Sequence, residues 1–286
     1  MISLLLQGTV LRIHFLFWVV ILSSVVTGQF MEVTTLFVLV LIHELGHVTA
    51  ARSFGWRIHS IELLPFGGVA HTDEWGTVPA REEIVVALAG PFHNVIMVLF
   101  GLLFYQFGWW SAEWTEYFVK GNAMLAGFNL LPIYPLDGGR ILQALLSYVF
   151  PYRRAVVWSL GFGFAGAAGL FLFSLSGEKV QINLSIVALF LFYSNWIAMR
   201  QRDYQYMRFL MHRREHRVPD SAPIIQLPVR PEEPLLTVLK RFRKEAYHVV
   251  VVQKPKGGWA TVPEEAVFRC YFDEKRIGGL AADLIA

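Results

Sequence analysis

The chain has 286 residues, 55% of them hydrophobic and 16% charged, with a formal net charge of +3 and a single cysteine. Soluble globular chains carry nearer ~25% charged residues, so a soluble fold throughout is excluded, and the small basic excess is no nucleic-acid footprint. Cys270 alone excludes an intramolecular disulfide and a cysteine-built zinc site.

Residues 1–199 hold the long apolar runs, and residues 200–286 hold most of the Arg, Lys and Glu. The asymmetry predicts a polytopic α-helical membrane domain over 1–200 followed by a cytosolic tail. Six segments approach the ~20 residues that a bilayer requires of a helix: 10–27, 33–53, 83–107, 118–148, 154–176 and 181–199. In the first, Arg12 precedes the apolar run from Ile13 to Val26, no convincing small-x-small cleavage site follows, and the segment reads as an uncleaved helix. The fourth contains PIYPLDGG, whose prolines remove helix donors and whose glycines loosen the backbone, so it is expected to break there. Broken helices are tolerated at membrane depth where they line a polar cavity.

Arg12, Arg52, Arg57, Arg81, Arg153, Arg154, Arg200 and Arg202 fall on one set of flanks. The opposite loops carry only Lys179 beside Glu32, Glu113, Glu116 and Glu178. By the positive-inside rule both termini are cytosolic. Between spans two and three, IHSIELLPFGGVAHTDE reads as short strands around Pro65, Gly67 and Gly68, either a cytosolic hairpin or a loop dipping back into the membrane. Residues 201–222 form a basic amphipathic linker, expected to lie on the anionic inner leaflet. Residues 223–286 alternate helix and strand: EPLLTVLKRFRKE, HVVVVQ, a KPKGG turn, GWATV and PEEAVFRCYF, a small α/β domain.

HELGH, residues 43–47, places ionisable groups inside an apolar span. On a helix His43 and His47 project from one face, able to present two nitrogens to one Zn²⁺, with Glu44 beside them to take a proton from water. Such a pentapeptide arises by chance in roughly one chain of this length in a hundred. Its bland reading, a polar seam between helices, is weak in a membrane, where ionisable residues are functional by default. A hydrolytic zinc site takes a third protein ligand. Asp137 in NLLPIYPLDGGR is a lone carboxylate lying, like His43, past the middle of its span toward the cytosol, and it is the expected third ligand.

HExxH in one span joined to N-x-x-P-x-x-x-x-D-G in a later one (here Asn129, Pro132, Asp137 and Gly138) resembles the site-2 proteases, intramembrane zinc metalloproteases. The resemblance implies metal ligands His43, His47 and Asp137, catalytic Glu44, and substrate contacts at Asn129, Pro135 and Phe66. GPFHN, 90–94, resembles the family's small-residue motif, with Gly90 for close packing and Asn94 for polar bonding between helices. His14, His59, His71 and His93 are assigned no role. The chain length, the WRI…LLPFGG loop, NLLPIYPLDGG and YFDEKR resemble the sporulation branch of the family. That branch implies a membrane around the forespore, a substrate in the pro-sequence of the sigma factor K precursor, and inhibitory membrane proteins. The tail resembles a single CBS domain, with Asp283 as the one candidate for a nucleotide-binding carboxylate; ATP binding and packing into a homo-oligomer are the two roles left open. A transporter is the rival class, disfavoured because there is one broken helix and no repeated half. Prenyl-protein-processing proteases share HExxH but take a Glu as third ligand, which NxxPxxxxDG argues against.

Overall fold

The computed structural model describes residues 2–6, 9–13, 15–64, 67–72, 74–177, 180–216, 218–219, 221–254, 257–276 and 278–285, with backbone alone for those up to residue 18 and for 61–71. It divides into two compact units, Met1–Ile141 and Leu142–Ala286, taken here in turn.

The first unit runs β1 (Ile2–Leu6), β2 (Thr9–Ile13), α1 (Phe15–Thr27), α2 (Phe30–Ser53), β3 (Ile58–Leu64), β4 (Gly67–Thr72), α3 (Ala80–Gln106), α4 (Ala112–Asn129) and the start of α5 (Asp137–Val149). The expected hairpin at 54–82 is present as β3–β4, antiparallel, with Ile61 opposite Ala70. It belongs to a larger sheet, ordered β1-β2-β3-β4. Residues 9–13, expected to open the first span, instead pair with β1 and lie parallel to β3, Val10 beside Ser60. TVLRI is β-branched and alternating, so the sheet satisfies its backbone groups. What remains of that span is α1, 13 residues, or about 20 Å at ~1.5 Å per residue.

Among the described residues, four helices are long and apolar enough to cross a membrane: α2, α3, α6 (Tyr152–Leu175) and α7 (Ile182–Glu215). Their patterning is inverted relative to a soluble helix. On α3 the outward positions Phe92, Val95, Leu99 and Leu103 are large and apolar. The inward stripe at 90, 94, 97 and 101 is Gly, Asn, Met and Gly. Lipid solvates the first set, and small residues on the second let helices approach closely. A Cβ on Gly46 of α2 would stand 2.7 Å from the Ala89 carbonyl oxygen, so backbone meets backbone there.

Ser111 caps α4, accepting a hydrogen bond from the Trp114 N–H at 3.2 Å. The fourth expected span breaks as anticipated: α4 stops at Asn129, residues 130–136 turn, and α5 starts at Asp137. Gly138 and Gly139 permit this turn, because a Cβ on either would lie 2.1 Å from the Leu130 carbonyl oxygen or 2.5 Å from the Tyr134 nitrogen. Over the C-terminal end of α2, Trp56 packs with Ala51 and Val86. Trp56 donates to Glu82 at 2.9 Å and meets Trp75 edge-on at 5.1 Å. Trp75 in turn lies under the Arg140 guanidinium, 4.1 Å away, a cation–π contact that ties residues 54–79 to α5.

The second unit contains α6, α7, β5 (Ile224–Val229), α8 (Leu235–Leu239), β6 (Tyr247–Gln253), β7 (Trp259–Pro263) and α9 (Glu264–Phe268), followed by a π turn and a 3₁₀ turn. Gly163 of α6 receives the Asn195 side chain of α7; a Cβ there would stand 2.1 Å from Asn195 Oδ1. At ~1.5 Å per residue, the 34 residues of α7 are about 51 Å long, against a hydrocarbon core of ~30 Å. Residues 201–215 of the expected linker are therefore a continuation of α7, carried beyond the apolar layer. The expected α/β elements are present, with α8 shorter than predicted and β5 added. The sheet is ordered β5-β6-β7. Tyr247–Val252 alternates half-buried and buried, the period-2 signature of a sheet with one covered face. Gly257 and Gly258, with φ of 84° and 92°, turn the β6–β7 hairpin as KPKGG predicts.

Candidate metal centre

His43 and His47 lie one turn apart on the buried face of α2, 2% and 8% exposed. Asp137 comes from the first turn of α5. His43 Nε2 and His47 Nε2 are 3.1 Å apart, and Asp137 Oδ2 is 3.2 Å from each. The other ring nitrogens face acceptors: His43 Nδ1–H donates to Asn94 Oδ1 at 2.6 Å, and His47 Nδ1–H donates to the Val86 carbonyl at 2.8 Å. With the protons on Nδ1, both Nε2 atoms carry lone pairs. Two lone pairs and a carboxylate oxygen therefore converge with no proton between them, an arrangement that calls for a cation. Four ligands placed tetrahedrally at ~2.0–2.1 Å from Zn²⁺ stand roughly 3.3 Å apart, so this donor set and its spacing fit zinc.

Gly90 of α3 forms the floor. A Cβ there would stand 2.3 Å from His47 Nε2 and 2.7 Å from His43 Nε2. Close packing was expected of Gly90; its packing partners are the imidazole nitrogens themselves. Glu44 clusters with the two histidines and is 9% exposed. Among the described residues no group donates it a hydrogen bond, which leaves its carboxylate open to a substrate or water.

Asn94, named from the sequence with Gly90, also touches the triangle, through His43. Asn129 ends α4 and donates Nδ2 to the Leu125 carbonyl at 3.1 Å. Pro135 is half-buried in the turn before Asp137. Phe66 and His14 lie outside the described residues, as does the His71 side chain. His93 donates to the Ala89 carbonyl of its own helix at 2.8 Å, and His59 is exposed on β3. The sequence reading missed Asn122 and the backbone of Val86. Asn122 lies a little under two turns before Asn129, the first motif residue on its helix, and a carbonyl has no side-chain signature at all. For Asn122 the signal was a carboxamide in an apolar span.

The peptidase family M50 model matches residues 31–120. The chain is 30% identical over 275 residues to Stage IV sporulation protein FB of Bacillus subtilis (strain 168), covering 96% of each chain. It belongs to the M50 family of site-2 proteases. A zinc metalloprotease of Methanocaldococcus jannaschii is 37% identical over 163 residues, which are 55% of this chain and 46% of that one. The solved site-2 protease from the same organism superposes with a TM-score of 0.55 at 33% identity, covering 69% of this chain and 94% of that chain. As a family member this M50 protein is a zinc metalloprotease of the membrane.

Proposed function

We propose that this protein hydrolyses a peptide bond of a membrane-associated protein near the cytosolic face, and that its substrate is the pro-sequence of the sigma factor K precursor. The convergence of His43, His47 and Asp137 beside an unengaged Glu44 carries the hydrolytic half. Similarity along 96% of Stage IV sporulation protein FB supports the sporulation half, together with a forespore-surrounding membrane, both termini cytosolic, six spans and inhibitory membrane partners.

His43, His47 and Asp137 would hold the zinc. Bound zinc supplies Lewis acidity, lowering the pKa of water and polarising a carbonyl oxygen. Glu44 takes a proton from the attacking water and returns it to the leaving nitrogen. Water would have to reach the site through a polar path open to the cytosol. A substrate must be extended, since a helix hides its carbonyls in hydrogen bonds. β4 is an edge of its sheet and packs against α2, so a substrate strand can be added to it. Asn129, Pro135 and Phe66 are the side chains proposed to hold that strand. Residues 223–286 are read as a CBS-like domain. Asp283 does not favour ATP there: its carboxylate caps its own turn, accepting from the Leu280 N–H at 2.8 Å, and faces Arg276 at 3.6 Å. Packing or homo-oligomer contacts suit this domain better.

Co-expression with the sigma-factor precursor, native protein beside Glu44→Gln, tests the reading on a gel. Shortening by the native protein alone is the expected result. Shortening by both overturns the role of Glu44, and by neither overturns the substrate.

A further inference from the structure

Beyond the three ligands, a line of side-chain amides leaves the site. His43 Nδ1 meets Asn94 Oδ1 at 2.6 Å, Asn94 Nδ2 meets Asn122 Oδ1 at 2.9 Å, and Asn122 Nδ2 meets the Phe118 carbonyl oxygen at 2.9 Å. The line crosses from α2 through α3 to α4. His43, Asn94 and Asn122 are 2%, 1% and 0% exposed, so water cannot replace a member.

The direction of this line follows from its far end. The Phe118 carbonyl can only accept. Asn122 must therefore turn its NH₂ toward it and its oxygen toward Asn94. Asn94 must then present NH₂ to Asn122 and oxygen to His43. An oxygen facing Nδ1 requires the proton there, which leaves the lone pair on Nε2, the atom in the ligand triangle. Reversing any amide would set donor against donor or oxygen against oxygen, with a buried polar group left unpaired at a cost of ~1–3 kcal/mol.

We infer that Asn94 and Asn122 are positioning residues that hold His43 in its metal-binding tautomer, and that a backbone carbonyl of α4 is the source of that constraint. His47 takes the same instruction in one step, from the Val86 carbonyl. The inference rests on the zinc-protease reading, because it concerns the readiness of a ligand.

The test is zinc affinity of the detergent-solubilised full chain, measured by competition with a chelator. Partners that orient a metal-bound histidine are typically worth 10–100-fold in metal affinity. Asn122→Leu leaves Asn94 free to rotate and is expected to weaken zinc about tenfold. Asn94→Leu is expected to weaken it by up to about 100-fold. The decisive variant is the double substitution Asn94→Asp with Asn122→Leu. A carboxylate has no donor face, so it accepts from His43 in either orientation and needs no second amide. Its affinity is expected to return to within about threefold of native. If the pair served only in packing, a buried charge without Asn122 would make matters worse. Native affinity in Asn122→Leu, or no recovery in the double variant, overturns the inference. Failure of the native chain to bind zinc would instead overturn the reading on which it rests.

Discussion

Replacing Gly90 with alanine tests the centre at its tightest point. The new methyl would stand 2.3 Å from His47 Nε2, 2.5 Å from its Cε1 and 2.7 Å from His43 Nε2. Ordinary contact begins near 3.4 Å, so methyl and imidazole must part by about 1 Å. Moving the ring breaks the His47 bond to Val86 at 2.8 Å; moving α3 instead opens the seam at Gly46. Metal sites tolerate ligand shifts of about 0.2 Å, and a 1 Å misplacement of reacting groups costs on the order of 10²-fold. Zinc affinity is therefore expected to fall at least about 100-fold, read by chelator competition, while helicity by circular dichroism is retained. Gly161 is the control: nothing lies within 4 Å of its Cβ position, so Gly161→Ala is expected to leave zinc unchanged and to alter stability only by the propensity gain of ~0.5–1 kcal/mol. A Gly90→Ala protein holding zinc within threefold of native would refute the packing argument.

Three other outcomes are expected. Asp137→Asn replaces the charged ligand by a neutral amide, so zinc content per chain drops after dialysis, whereas Glu44→Gln keeps full zinc content while proteolysis falls by ~10²–10⁴-fold. In the second unit, Arg213 of α7 is buried and grips Glu264 with two nitrogens at 3.1 Å each, and the carbonyls of Arg243, Lys244 and Ala246 besides. Arg213→Met strands the Glu264 carboxylate and is expected to cost ~3–5 kcal/mol, read as faster hydrogen exchange through β6 and α9. The same network sets a pH dependence. Burial holds His248 below its usual value, with Glu264 at 3.2 Å only partly offsetting this, and its Nε2 lone pair is already taken by the Arg243 N–H at 3.0 Å. The unfolded chain thus takes up a proton before the native one does, so stability is full above ~6.5 and declines as pH falls below it. Burial also acts to raise Glu264, but the His248 and Arg213 contacts outweigh it and leave its carboxyl low, adding a second loss below ~4.3. With the intrinsic fall of exchange rate with pH divided out, protection of β6 amides in the full chain should drop below ~6.5 in native protein but not in His248→Phe; equal pH profiles would contradict this.

Hydropathy marked the four helices that are long and apolar enough to span, and the cost of ionisable groups in lipid marked His43, Glu44, His47 and Asp137, since few other side chains in 1–199 break an apolar run. The break at 130–136 was legible from Pro132, Pro135 and the glycine pair. Less legible was β2, because TVLRI is as apolar as a span and only its pairing with Ser60 and its neighbours distinguishes it. The linker misled for a related reason: RQRDYQYMRFL is basic enough for a surface helix, but nothing in it stops the helix arriving from Ile182. The roles of Asn122 and the Val86 carbonyl were not legible because their meaning lies in direction, which one sequence does not carry.

The depth of the third ligand is likewise decided away from the motif that supplies the first two. HELGH fixes two nitrogens by helix geometry alone, at i and i+4 on α2. Asp137 reaches them only because α4 stops at Asn129 and α5 starts at the right height. Both events are set by a seven-residue turn folded so tightly that Gly138 and Gly139 meet backbone atoms. Asn122, a little under two turns before the end of α4, binds the same helix to His43 through Asn94. One helix thus reaches the centre twice, once through an amide line near its middle and once through the turn at its end. A rotation of α4 would disturb His43 and Asp137 together, so the zinc site is assembled by the packing of α2, α3 and α4 as a set.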